Sequence, residues 1–111
     1  MPANIALVAN QKEDIAVYVN ALDRPGVTLK VVSSFRHLEQ QLSTNAYNGI
    51  VVDLKTKLSV PRDQKELAYE LLDHYPVLQS RIIPGSQKIQ TMPFGKASRD
   101  ISLDAFLTED C

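Results

Sequence analysis

Asp53 stands at the end of the run Gly49-Ile50-Val51-Val52, and three cations follow it closely: Lys55, Lys57 and Arg62. A carboxylate at the tip of a covered strand can accept a phosphoryl group, help to hold a hard cation, or serve only to end the strand. In the last case it caps a loop amide or pairs with Lys55, Lys57 or Arg62. Those cations, beside Thr56 and Ser59 and ahead of a helix start, suit an anionic ligand such as a phosphate or a partner's acidic patch. The competing reading is a solvated loop with ordinary surface ion pairs. His37 and His74 fall on different expected helices without ligand spacing, so no metal site is expected. Cys111 is the single cysteine, which excludes an internal disulfide and leaves a thiol with no activating partner. There is no glycine-rich phosphate loop, nucleophile elbow or Ser-His-Asp order, so no enzyme is expected.

The elements that must position these residues follow from apolar spacing. Residues 4–9 (NIALVA) are a continuous apolar run, as in a strand buried on both faces. Residues 11–23 place Ile15, Tyr18, Val19 and Leu22 on one helical stripe, with Asn10 and Glu13 as a capping box. Arg24-Pro25-Gly26 turns the chain into a β-branched strand, 27–33. Ser34 caps a second helix carrying Phe35, Leu38 and Leu42, which Asn45 ends. Residues 47–54 form the third strand, so right-handed crossovers put the first strand between the second and third. Asn10 and Asp53 then become neighbours at the carboxyl ends of the strands. The polar segment 55–62 leads to a third helix, capped by Asp63 with Glu66, whose core face is Leu67, Leu71 and either Leu72 or Tyr75. Pro76 closes it.

The last third changes rhythm. Residues 77–83 read as a strand, Pro84-Gly85-Ser86-Gln87 as a turn, and 88–94 as an antiparallel edge strand able to hold Pro93. Residues 95–100 are expected as a loop, and Ser102 caps a short final helix with Ile101 and Phe106 as its staple. The expected fold is α/β: a three-layer, doubly wound sandwich, βαβαβαββα, in one domain, 1–111. Its sheet has the order 2-1-3-4-5 and is parallel except for strand 5.

The balance of the chain narrows the function classes. Of 111 residues, 12 are Lys or Arg and 13 are Asp or Glu, so the net charge of -1 points to no polyanionic partner. The aromatic residues do not alternate with basic ones as a nucleic-acid platform would. No apolar run is long enough to span a bilayer, and the start lacks a secretory pattern; the expected location is cytoplasmic.

The strand-helix order around Asp53 resembles the receiver domain of two-component response regulators, the CheY-like fold. In that family the strand-three Asp accepts a phosphoryl group, which places Asp53 at the acceptor position. The resemblance implies two acidic residues after strand one; here Ala9 and Asn10 stand there. It implies a Ser or Thr after strand four, where Ile82-Ile83-Pro84 is found, and a Lys after strand five, to which Lys96 is nearest. Phosphoryl transfer needs metal and cations to neutralise developing charge, so the resemblance implies a receiver-like scaffold without receiver chemistry.

A second resemblance rests on residues 47–54, Thr56-Lys57, Pro61-Arg62, Lys65-Glu66-Leu67, Glu70-Leu71-Leu72, Tyr75-Pro76-Val77-Leu78-Gln79 and Leu103-Asp104-Ala105-Phe106 through Cys111. Together they are similar to the N-terminal module of a group of bacterial PilZ-domain proteins, in which a degenerate receiver precedes the PilZ domain. That implies a non-catalytic regulatory or interaction module in cyclic di-GMP signalling, without the Arg-x-x-x-Arg and Asp/Asn-x-Ser-x-x-Gly motif that binds the nucleotide. No cofactor is implied. The implied partners are a following PilZ domain, another signalling protein or a second copy in a homodimer. Ile89, Met92 and Phe94 are the expected contact residues, unless they are buried in the domain's own core. The alternatives are a working phospho-receiver using Asp53 and an anion sensor at the loop after strand three.

Overall fold

The structure, a computed structural model, describes residues 3–23 and 25–94. Five strands form one sheet in the order β2-β1-β3-β4-β5. They are β1 (Ala3–Val8), β2 (Val27–Val32), β3 (Gly49–Asp53), β4 (Val77–Ile82) and β5 (Ile89–Phe94). The first four run parallel, and β5 returns antiparallel to β4. The expected α/β architecture, strand order and reversal of the last strand are what the structure has. The final helix and its caps, Lys96 and Cys111 lie outside the described residues.

The sheet is covered on both faces because the strand order reverses at β1, so right-handed crossovers in the two directions put their helices on opposite faces. Helix α1 (Lys12–Leu22) packs on one face, where Tyr18 and Leu22 meet Ile5, Leu7, Ala9, Val51 and Leu78. On the other face lie α2 (Phe35–Thr44) and α4 (Lys65–His74), whose Phe35, Leu38, Ala68 and Leu72 cover Ala6, Val8, Ile50, Val52 and Val77. Central β1 therefore buries every side chain from Ile5 to Val8, whereas edge β2 alternates and keeps Thr28 and Lys30 in solvent. That contrast explains why strand one reads as an unbroken apolar run.

Several local expectations are corrected. Helix α1 begins at Lys12 behind Gln11, and no side chain caps it, so the Asn10–Glu13 box does not form. Asn10 is drawn instead into contacts with Thr56. Val19 is 41% exposed because the sheet needs only Tyr18 and Leu22 from that turn. Residues 55–62 are not a plain loop: α3 (Leu54–Leu58) forms first, and a 3-10 turn (Arg62–Gln64) follows. That turn displaces the Asp63–Glu66 box, and Asp63 forms an exposed ion pair with Arg36 at 3.6 Å. The core face of α4 is Ala68 and Leu72, with Leu67, Leu71 and Tyr75 only partly buried.

Two predicted devices do form. The Ser34 hydroxyl accepts the His37 amide at 3.1 Å and starts α2. Gly85, at φ +78°, supplies the left-handed position of the Ile83–Ser86 turn, closed by the Ser86 amide on the Ile83 carbonyl at 3.1 Å.

Candidate functional site

β3 ends at Asp53, and the same residue starts α3. Its backbone is extended, and its side chain folds forward over the first turn. One carboxylate oxygen, Oδ2, accepts the Thr56 amide at 3.1 Å and the Thr56 hydroxyl at 3.0 Å. The other, Oδ1, accepts the Tyr18 hydroxyl at 2.6 Å. Asp53 is 1% exposed, Tyr18 is fully buried and Thr56 is 3% exposed, so this network lies inside the molecule. A buried carboxylate is tolerable only when donors replace the water it loses, and here three do so.

The network continues to the end of β1. The Asn10 amide donates to the Thr56 hydroxyl oxygen at 3.1 Å, and Asn10 Oδ1 lies 3.2 Å from the same oxygen. A hydroxyl has one proton to give; the shorter, charged acceptor on Asp53 takes it. The expected neighbourhood of Asn10 and Asp53 is present, with Thr56 as the bridge between them. Burial, the hydrogen bond to Asp53 and the nearby charges of Asp53 and Asp14 all push the Tyr18 phenol well above its ordinary range.

The three cations after β3 diverge. Lys55 reaches back to Asp14 at 3.7 Å and borders a polar cavity of about 410 Å³ with Asn10, Gln11, Glu13 and Ser59. Lys57 turns the other way: its Nζ donates to Gln79 Oε1 at 2.7 Å and sits 6.0 Å from the Tyr69 ring centre. Partial burial lowers its pKa. Arg62 opens the 3-10 turn, exposed, and lines neither the Lys55 cavity nor the smaller one beside Lys57. The segment therefore does not assemble a three-cation anion site.

The expectation that strand four brings no hydroxyl to Asp53 needs correcting. Strand β4 runs past the end of β3, so the residue in register with Asp53 is Ser80, inside the strand. Ser80 is 1% exposed and shares a face with buried Leu78 and partly buried Ile82. Its hydroxyl makes no hydrogen bond.

Strand β5 separates the expected contact residues. Ile89 is partly buried against the α1-side core, which accounts for it as packing. Met92 faces the opposite side and is 54% exposed. The Phe94 side chain lies outside the described residues.

Sequence reasoning placed Tyr18 only on the apolar stripe of its helix, named Thr56 only beside the cations, and did not weigh Ser80. Two signals were present. A Tyr on the buried stripe of a helix needs a polar partner, and Asp-x-x-Thr at a strand end is a capping pattern. Among the described residues, no group of three or more His, Cys, Asp or Glu is placed to hold a metal ion, and no helix is long and apolar enough to cross a membrane. Comparison of the chain with protein-family models, with curated proteins and with solved structures returned no match.

Proposed function

We propose that this chain is a non-catalytic regulatory and interaction module on a receiver-like scaffold. In this reading it works beside a PilZ domain or another signalling protein and leaves cyclic di-GMP binding to that partner. The observation that carries the non-catalytic part is the commitment of both Asp53 oxygens to Tyr18 and Thr56. A nucleophilic carboxylate must present a free oxygen to the phosphorus, and a Mg²⁺ ion prefers several carboxylate or carbonyl oxygens at octahedral spacing. Ala9 and Asn10 bring no carboxylate to the end of β1, and Asp14 on α1 is paired with Lys55. The PilZ association rests on the sequence resemblance alone.

One observation favours the phospho-receiver alternative: Ser80 lies in register with Asp53, with a hydroxyl that makes no hydrogen bond. Incubation with acetyl phosphate and Mg²⁺, read by intact mass, decides between the two. The expected spectrum is that of the unmodified chain. A stable phosphoryl adduct that disappears in Asp53→Asn would overturn the proposal.

A further inference from the structure

Five large apolar side chains stand exposed among the described residues, and three of them share one side of the molecule: Leu58, Tyr69 and Met92, at 72%, 53% and 54%. They border two adjoining cavities. One, of about 320 Å³, lies over β4 and β5 between Leu54, Gln79, Arg81, Gln90 and Met92. The other, of about 110 Å³, lies against α4 between Lys57, Leu58, Val60, Lys65 and Tyr69. Lys57 joins them, since its ammonium lies near the Tyr69 ring on one side and bonds Gln79 on the other. The Gln79 amide in turn reaches Met92 Sδ at 3.4 Å. The result is one groove between α4 and the β4–β5 hairpin.

The topology explains why the groove is open. A tight turn joins β4 to β5, so among the described residues no crossover helix lies on this side of the hairpin beyond α4. An antiparallel pair tolerates one solvated face, but solvation has no need for three exposed large apolar residues grouped on that face and on the neighbouring α3 and α4. The charge of the groove is one-sided. Lys57, Lys65 and Arg81 line it, and among the described residues no Asp or Glu does. Arg81 is held in place by its Nε, which donates to Gln90 Oε1 at 2.8 Å and so fixes the plane of a group suited to carboxylates. Six-residue β4 spans ~20 Å, about the length of a 13-residue helix.

We propose that this groove docks an amphipathic α-helix from a partner protein, its apolar face on Leu58, Tyr69 and Met92 and flanking Asp or Glu residues on Lys65 and Arg81. The inference rests on the interaction-module reading, and names the chemistry of its partner. The helix would complete the layer beside α4, with apolar anchors supplying affinity and the charges setting register and orientation.

The probe is a displayed library of two-heptad helices with Leu at a and d and with Glu, Gln or Lys at the flanking e and g positions. The expected winners carry Glu at the flanks. Their affinity for the chain falls roughly tenfold or more in Lys65→Glu/Arg81→Glu and in Tyr69→Ala/Met92→Ala. All four side chains are exposed, and circular dichroism confirms that the variants fold. A library that yields no binder, winners with Lys at the flanks, or binders indifferent to both variants would overturn the inference. So would self-association of the chain that Tyr69→Ala/Met92→Ala abolishes, since a second copy would then be the occupant. Failure of the non-catalytic reading would show separately, as an Asp53 adduct, which does not involve the groove.

Discussion

Tyr18 ties the helix on one face of the sheet to the residue that ends β3, through a 2.6 Å hydrogen bond to a buried carboxylate. A hydrogen bond to a charged acceptor in such surroundings contributes about 2 kcal/mol, and its loss leaves one carboxylate oxygen unsatisfied. Tyr18→Phe is therefore expected to lower the melting temperature by roughly 10 °C, measured by calorimetry. The same contact has an alkaline signature. Burial and Asp53 raise the folded-state pKa of Tyr18 above the unfolded value of about 10. The unfolded chain loses this proton first, so the stabilisation is complete below pH ~10 and is lost as pH climbs toward the folded pKa. The Tyr18 contribution to the slope there is about 1.4 kcal/mol per pH unit, and denaturant titrations of Tyr18→Phe should lack it. An equal slope in both proteins would disprove the contact. Asp53 was legible in the sequence because an acid ending a run of Ile and Val stands out. Tyr18 and Thr56 left only a local hint each, and Ser80 none, because their roles depend on which strand lies beside which and on where each one ends.

At the scale of elements, the hairpin that ends the described sheet depends on one left-handed residue. Gly85 has φ +78° with open space around its Cα, so an added methyl meets no neighbour and only the backbone objects. Gly85→Ala is expected to cost about 1–2 kcal/mol through that strain alone, read as a shifted denaturation midpoint with an unchanged m-value. No shift would mean that the turn adopts another form. This turn, the strand order and the Ser34 cap were all readable, because glycine after proline, continuous apolar runs and Ser before Phe35 are local signals with local causes. Helix α3 was not readable. Five residues with no apolar period form it only because Asp53 caps them and the end of β1 packs against Thr56. The capping boxes at Asn10 and Asp63 failed for a related reason. Tertiary contacts gave Asn10 to Thr56, and a 3-10 turn moved the start of α4 past Asp63.

For the whole molecule, the sheet divides the protein into two unlike sides. One side packs α1 onto β1, β3 and β4 and encloses Tyr18 and Asp53; the other carries α2 and α4 and, among the described residues, leaves the cationic groove over the hairpin uncovered. In the proposed reading the strand ends carry structure and the groove carries recognition. Asp53 is an internal cap whose oxygens are already taken. Backbone amide spectra of the chain, recorded while Mg²⁺ is added to millimolar levels with beryllium fluoride present, test it most directly. The account predicts that the amides of Asn10, Asp53 and Thr56 stay where they are. Saturable shifts at those three amides, abolished by Asp53→Asn, would contradict it.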